Sequence, residues 1–169
     1  EEVLVMMKTV DEALDASQFQ KIQTAFMGDT CPWFFSHGVT HQDDGHTQLV
    51  HGVYTGGEPT SNLWPLLRPV LQVLGAASAM SIKANLVVRT DAIEEHAMHN
   101  DNPLQDAYTA VYYINTNDGY TYFEDGQRVG SVANRLVIFP STMKHGGTSC
   151  TDQACRIVLN VNYHPMIHA

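Results

Sequence analysis

Residues 108–115 read YTAVYYIN, residues 134–140 read NRLVIFP, and residues 156–163 read RIVLNVNY. Each run is short, largely apolar and rich in β-branched or aromatic residues, a composition typical of strands in a buried sheet. The dipeptide Asp125-Gly126 predicts a hairpin turn between residues 120–123 and 129–132. Several short strands separated by turns predict a mainly β domain of two packed sheets, a β-sandwich or jelly roll.

The first half of the chain contains two predicted helices. Asp15 can cap the first helix, whose apolar residues recur at helical spacing until Gly28 stops it. The second helix would begin at Ser61, bend at Pro69 and end at Gly75. Because both helices have an apolar stripe, we expect them to pack on one face of a sheet rather than to form part of a site.

A strand is predicted over residues 81–89, where the apolar pattern changes to a period of two. A shorter opening strand is predicted over residues 3–7. One face of the 81–89 strand is apolar and belongs to the core. The other face carries Lys83 and Asn85 and either lines a pocket, where Asn85 would touch a ligand, or is exposed to solvent.

The composition limits the class of protein. A chain of 169 residues with 44% hydrophobic and 16% charged residues is expected to form one globular domain. Its net charge of −9 argues against nucleic acid or an anionic membrane as a partner, since both require clustered positive charge. No apolar run approaches the roughly 20 residues that span a bilayer. The cysteines, Cys31, Cys150 and Cys155, are odd in number and lack a zinc-site spacing, so we expect reduced thiols and a cytoplasmic location. The alternative is a hairpin turn at 151–154 that brings Cys150 and Cys155 face to face.

Three residues form a candidate metal-ligand set, His99, Asp101 and His145. On a β-strand His99 and Asp101 would project to the same side, because side chains alternate along a strand. His145 follows the apolar run at 136–139 and a turn at Pro140, as expected for a ligand on a different strand. Two imidazoles and one carboxylate on one face of a metal leave the opposite face open, which suits Fe(II) in oxygen-activating enzymes.

A single arginine follows this set. Strand alternation places Arg156, Val158, Asn160 and Asn162 on one face of the run at 156–163. If that face points inward, Arg156 is buried beside the metal ligands and requires a carboxylate or phosphate partner. A dicarboxylate that chelates the metal at one end and meets Arg156 at the other would satisfy both requirements.

The order His-x-Asp, distal His and Arg resembles that of the Fe(II)- and 2-oxoglutarate-dependent dioxygenases. The flanking YYIN and NRLVIFP sequences resemble the prolyl-hydroxylase-type branch, and the resemblance covers roughly residues 82–163. It implies a double-stranded β-helix, the cupin-like form of the jelly roll, with O2 as co-substrate and ascorbate as an expected activator. The residues with expected roles are His99, Asp101 and His145 for Fe(II), and Arg156, Tyr113 and Asn160 for 2-oxoglutarate.

The same resemblance implies hydroxylation of an unactivated C–H bond with release of succinate and CO2. A prolyl residue of a peptide or protein is the first expectation for the substrate, and a free amino acid or another small metabolite stays open. In this interpretation residues 1–80 supply helical support and substrate-side loops, and residues 81–163 form the catalytic β core. The alternative from a different class is a non-enzymatic, cupin-like module that binds a metal or a small carboxylate.

Several other histidines need a separate interpretation. The second His-x-Asp sequence, His41 to Asp43, lies in a polar, turn-rich stretch and is expected to be a solvated loop. His96 is not counted as a ligand, because it would fall on the strand face opposite to His99. The histidines at 37, 41, 46 and 51 are interpreted as loop residues, with the border of a substrate groove as the alternative.

Overall fold

The structure is a computed structural model that describes residues 7–101, 104 and 106–166. In chain order its elements are β1 (Lys8–Val10), α1 (Ala16–Met27), β2 (Phe34–Ser36), β3 (Gln48–Thr55), β4 (Glu58–Pro59), a 3-10 turn (Trp64–Leu67), α2 (Arg68–Val73), β5 (Ala76–Val88), β6 (Tyr108–Tyr113), β7 (Tyr120–Phe123), β8 (Arg128–Gly130), β9 (Leu136–Pro140), β10 (His145–Gly147) and β11 (Cys155–Pro165).

Two antiparallel sheets form the body of the domain. The large sheet has the strand order β1-β9-β6-β11-β5-β3-β2, with β4 beside β3, and the small sheet has the order β10-β7-β8. Strand β11 pairs with β5 on one side and with β6 on the other. This arrangement, with two short helices beside the large sheet, confirms the predicted mainly β jelly roll.

Alternation along the central strands divides the apolar residues between two cores. Tyr112 and Leu159 belong to the cluster that packs against the helices. The neighbouring residues Tyr113 and Val158 point the other way and pack in a second cluster with Phe123 of the small sheet. Because side chains alternate along a strand, the same segments bind the helices on one face and leave the opposite face for a site between the sheets.

The first helix agrees with the prediction and the second differs from it. Asp15 accepts a hydrogen bond from the backbone N–H of Gln18 at 2.9 Å, and Gly28 ends α1. The predicted second helix is instead a 3-10 turn followed by α2. Pro69 has no N–H to donate to the preceding turn, so it lies in the first turn of the new helix α2 and does not bend a continuous one.

Most predicted strands are present, with some changes in their bounds. Strand β5 begins at Ala76, earlier than predicted, and the hairpin from β7 to β8 turns at Gly126, whose φ is +87°. The predicted strand at 3–7 lies outside the described residues except for Met7, which precedes β1. All three cysteines are free thiols. Within the described ranges, no helix has the length and apolar character needed to cross a membrane.

Candidate active site

Two histidines that are far apart in sequence lie opposite each other at the edge of the small sheet. The backbone N–H of His99 donates to the carbonyl of His145 at 2.9 Å, and the N–H of His145 donates to the carbonyl of His99 at 2.9 Å. Residues opposed in an antiparallel bridge project their side chains to the same face. The two imidazole centroids are accordingly 4.7 Å apart.

Asp101 completes a group of three potential ligands. Its Oδ1 lies 3.1 Å from Nε2 of His99 and 3.7 Å from Nε2 of His145. Adjacent ligand atoms of an octahedral ion are separated by about 3 Å when the metal–ligand distance is about 2.1 Å. The structure therefore brings together the three residues that the sequence singled out, in a group that could hold a metal ion.

The prediction that His99 and Asp101 share a β-strand is wrong. Only His99 is paired, in a single isolated bridge, and Asp101 lies in a bend. If the antiparallel pairing continued, Asp101 would be opposite Met143, two residues before His145. Met143 instead lies in a turn that follows β9, where its N–H donates to the carbonyl of Pro140. The carboxylate therefore reaches the imidazoles from a bend rather than from a strand face.

Neighbouring groups orient all three side chains. Nδ1 of His99 lies 3.4 Å from the carbonyl of Ala97, and Nδ1 of His145 lies 3.2 Å from the carbonyl of Met143. When Nδ1 of a neutral imidazole donates in this way, Nε2 carries the lone pair that a metal can bind. The side-chain amide of Asn162 donates to Oδ2 of Asp101 at 3.4 Å.

The electrostatics of the group depend on burial and mutual contact. The hydrogen bond with Asp101 raises the pKa of His99, whereas burial lowers the pKa of His145. Burial alone would raise the pKa of Asp101, but the hydrogen bond from His99 and the two nearby imidazoles together hold it below its usual value. A deprotonated carboxylate beside a neutral imidazole is the state that binds a metal ion.

Arg156 is a buried cation that has no acidic partner among the described residues. Its side chain is only 4% exposed, and burial lowers its pKa from the usual value. It donates to Oγ of Ser131 at 2.8 Å, to Oγ1 of Thr121 at 3.3 Å and to the carbonyl of Thr148 at 3.4 Å. All three acceptors are neutral, and no carboxylate in the described part of the chain pairs with this guanidinium.

The position of the guanidinium relative to the metal-ligand group follows from strand β10. A Cβ atom added to Gly147 would lie 3.4 Å from Nη1 of Arg156, so the guanidinium lies beside that residue. Gly147 is two residues after His145, a separation of about 7 Å along a strand. The structure therefore places Arg156 a short molecule's length from the group of His99, Asp101 and His145.

Tyr113 reaches this region indirectly. Its hydroxyl donates to Oγ1 of Thr121 at 2.8 Å, and Thr121 in turn accepts the hydrogen bond from Arg156. The Arg156 guanidinium carbon also lies 5.7 Å from the centroid of the Tyr113 ring. Thr121 lines the cavity, whereas Tyr113 is fully buried behind it. A direct contact between Tyr113 and a ligand stays a prediction.

A cavity of about 390 Å³ lies between the two sheets and contains the group. Its floor is formed by side chains of the neighbouring strands β11 and β5. In their register Arg156 is paired with Val87, and Asn160 is paired with Lys83. The four residues that alternation assigned to one face of β11, namely Arg156, Val158, Asn160 and Asn162, all line this cavity. The polar face of β5 lines it as well, so the pocket interpretation of Asn85 holds rather than the exposed one.

Asn85 has a polar atom without a partner in the part of the chain that the structure describes. Its Oδ1 is buried and accepts no hydrogen bond from the described residues. A buried acceptor without a partner is costly, so such an atom indicates a donor that arrives with a ligand or with water. Lys83, on the same strand face, forms no ion pair with any residue that the structure describes.

The remaining histidines behave mostly as expected. His41 and Asp43 lie in a turn, and neither belongs to a group of potential metal ligands in the described ranges. The interpretation of His51 as a loop residue is wrong, because it lies in β3 and is buried, with Nδ1 2.7 Å from the carbonyl of Pro32 and Nε2 2.7 Å from Oγ of Ser61. His96 is not part of the group around Asp101, but it does line the cavity, which the strand-face argument did not anticipate.

Sequence reasoning missed the residues that hold the site in place. Thr121, Ser131 and Thr148 surround the Arg156 guanidinium, and all three are buried. Polar residues in short strands are usually exposed, so the sequence gives no sign that these hydroxyl and carbonyl groups point inward. The role of Asn162 could have been found, because alternation places it on the same face as Arg156.

Comparison with known proteins identifies the class of fold. No protein-family model and no curated protein sequence matches the chain. Solved structures do match over nearly its whole length. An oxidoreductase of the 2OG-Fe(II) oxygenase family from Burkholderia pseudomallei is 17% identical with a TM-score of 0.65, over 99% of this chain and 88% of its own.

Two further matches have different bound molecules. A prolyl hydroxylase from Trichoplax adhaerens, in complex with a hypoxia inducible factor peptide, is 14% identical with a TM-score of 0.59, over 94% of this chain and 83% of its own. HygX from Streptomyces hygroscopicus, with nickel, 2-oxoglutarate and hygromycin B bound, is 8% identical with a TM-score of 0.62, over 98% of this chain and 85% of its own. The chain thus has the jelly-roll fold of these proteins, and the resemblance predicted from the sequence is confirmed at the level of the fold.

Proposed function

We propose that this protein is an Fe(II)- and 2-oxoglutarate-dependent dioxygenase. The observation that carries the proposal is the burial of Arg156, without an acidic partner among the described residues, close to two imidazoles and a carboxylate that could share one metal ion. A buried guanidinium that only neutral oxygen atoms contact requires an anionic ligand. A dicarboxylate that also chelates a metal meets this requirement.

The donor set fits Fe(II). His99, Asp101 and His145 would hold the ion through two Nε2 atoms and one carboxylate oxygen, the combination that suits non-haem Fe(II). Arg156 and Thr121 would bind the distal carboxylate of 2-oxoglutarate, with Tyr113 supporting Thr121 from behind. Asn160 lines the same wall of the cavity, which supports its expected role in binding 2-oxoglutarate.

Bound iron and 2-oxoglutarate supply the oxidising chemistry, in which O2, 2-oxoglutarate and a C–H bond become succinate, CO2 and a hydroxylated product. The residues of the chain position the reactants and exclude water. Asn162 holds one oxygen of Asp101, so the other stays directed at the imidazoles. Burial of His145 and Arg156 strengthens the electrostatic interactions of the site, because few water molecules remain to screen them.

For the substrate we propose a prolyl residue of a peptide or protein as the first candidate. The sequence flanks of the prolyl-hydroxylase type support this choice, as does the likeness to a prolyl hydroxylase that was solved with a peptide. HygX has the same fold with hygromycin B bound, so an amino acid or another small molecule is the second candidate. Lys83 and Asn85 both line the cavity, and the Lys83 amine and the Asn85 Oδ1 are polar groups that could contact such a substrate.

The first experiment measures succinate formation with Fe(II), 2-oxoglutarate and O2 across a panel of proline peptides and free amino acids. The oxygenase should produce succinate with at least one member, and Asp101→Ala should abolish the activity. His41→Ala changes the histidine of the other His-x-Asp sequence and should leave it intact.

An anaerobic experiment separates the enzyme from a cupin-like binding module. The enzyme with Fe(II) and 2-oxoglutarate should show a weak visible metal-to-ligand charge-transfer band, because 2-oxoglutarate would bind directly to the iron. A module in which the metal is structural, or in which Arg156 simply binds a carboxylate, would show neither this band nor succinate.

A further inference from the structure

A second group of potential ligands lies outside the candidate active site. It consists of His46, Glu94 and His96, each of which offers an atom within 4.8 Å of the others. Nδ1 of His46 is 3.4 Å from Oε2 of Glu94, and the centroids of the two imidazoles are 4.8 Å apart. Of the three residues, only His96 lines the cavity.

The backbone around these residues is held by hydrogen bonds. The carboxylate of Asp44 accepts from the N–H of His46 at 3.0 Å and from that of Thr40 at 2.8 Å, which closes the loop at 37–47. The N–H of Glu94 donates to Oγ of Ser149 at 2.9 Å, and its carbonyl accepts from the N–H of Ser149 at 3.0 Å. The positions of two ligand-bearing segments are therefore fixed before any ion binds.

His96 is the most informative member. It is only 3% exposed, and its backbone N–H donates to the carbonyl of Gly147 at 3.0 Å. Its imidazole nitrogens form no hydrogen bond with any residue in the described ranges, and because the residue lines the cavity they can be reached by a ligand. Burial, with the nearby His46 and Arg156, lowers the pKa of His96 to about 4.

One of the three separations already matches a four-coordinate ion, and the other two are within 4.8 Å, so small side-chain movements would complete the set. For zinc bound at about 2.0–2.1 Å, tetrahedral geometry separates two ligand atoms by about 3.4 Å, which is the distance between His46 and Glu94. We propose that His46, Glu94 and His96 form a second divalent-metal site of the zinc type, with water as the fourth ligand. The proposal does not depend on the oxygenase function, because it uses none of the residues assigned to Fe(II) or 2-oxoglutarate.

An ion at this second site would join two segments beside the mouth of the cavity. The loop at 37–47 already contacts the segment that leads to His99, through a hydrogen bond from Thr40 Oγ1 to the carbonyl of Ala97 at 2.9 Å. Val39, in the same loop, lines the cavity. Metal binding would therefore stabilise one wall of the cavity without occupying it.

The experiment counts zinc in protein that has first been stripped with a chelator. The variant Asp101→Ala removes the carboxylate of the first group and leaves it two imidazoles, and the variant should still bind one zinc ion per chain after desalting. Adding His46→Ala or Glu94→Gln to this variant should weaken zinc binding by more than about tenfold. Adding His41→Ala, in the same loop but outside the group, should change nothing.

Cobalt(II) provides a second measurement in the wild-type chain, so that the test survives if Asp101→Ala fails to fold. A four-coordinate cobalt site absorbs visible light strongly, whereas a six-coordinate site absorbs weakly. The strong bands should appear on titration of the wild type and disappear in His46→Ala. If His46→Ala and Glu94→Gln keep these bands, or if the wild type shows none, the second site does not exist.

Discussion

Replacement of Arg156 by leucine tests the structure most directly, because it should reduce 2-oxoglutarate binding without a matching loss of stability. The guanidinium makes three hydrogen bonds to neutral acceptors in the folded chain. At about 1.5 kcal/mol for each bond from a charged donor, their loss would cost about 4–5 kcal/mol. Removal of an unpaired buried charge returns several kcal/mol, so the net change in the free energy of unfolding should stay within about 2 kcal/mol.

The loss of binding free energy should equal or exceed this change in stability. Loss of one partner of a buried, hydrogen-bonded charge pair weakens binding by at least about 2 kcal/mol, which raises the dissociation constant for 2-oxoglutarate at least about 30-fold. Anaerobic titration of the Fe(II)-loaded protein, followed by its visible charge-transfer band, measures this constant. Urea unfolding of the metal-free protein measures the stability.

Two other variants make the result interpretable. Arg156→Lys keeps the positive charge but loses the planar arrangement of donors, so its affinity should lie between those of the wild type and Arg156→Leu. Arg135 pairs with Asp11 on the outside of the domain, and Arg135→Leu should bind 2-oxoglutarate as the wild type does. If Arg156→Leu binds 2-oxoglutarate within about threefold of the wild type, Arg156 does not anchor it.

Three further predictions follow from contacts of the site. Gly119→Ala would place a Cβ atom 2.7 Å from Cδ of Arg156. We therefore expect the free energy of unfolding, measured in urea, to fall by about 1–3 kcal/mol and 2-oxoglutarate binding to weaken. Unchanged values would contradict the close approach. Tyr113→Phe removes the donor to Thr121, and it should cost about 1 kcal/mol of stability but less 2-oxoglutarate affinity than Arg156→Leu; an equal loss of affinity would instead indicate direct contact with the ligand. Because the pKa of His96 is lowered to about 4, the unfolded chain binds a proton between pH 6.5 and pH 4 that the folded chain does not. The free energy of unfolding of the metal-free protein should therefore fall by up to about 3 kcal/mol as the pH falls through this range. The variant His96→Gln should lose less stability over the same range.

The sequence predicted those parts of the site that follow from strand alternation. A period of two leaves only two choices of face, and one apolar face of β11 assigns Arg156, Asn160 and Asn162 to the other. The structure places all three on the cavity wall. The order of the motif residues also indicated that His145 would meet His99, although only the pairing across the sheet explains how.

Loops and irregular segments were harder to predict. Asp101 lies in a bend, and His46, Glu94 and His96 come together from a turn-rich loop and a segment without regular secondary structure. No periodicity describes such segments, since hydrogen bonds to particular side chains such as Asp44 determine their course. The contact of Tyr113 with Thr121 depends on how the two sheets pack against each other. A single sequence does not show which residues of the two sheets will face each other.

The length of strand β11 determines the distance between two parts of the site. Arg156 lies near one end of its cavity face, and Asn162, which holds Asp101, lies near the other. An inserted or deleted residue between them would turn one of the two side chains to the helix-packed face, because successive residues on a strand point to opposite sides. Engineering of this protein can therefore exchange side chains along β11, but its length must stay constant, and changes of length belong in surface loops.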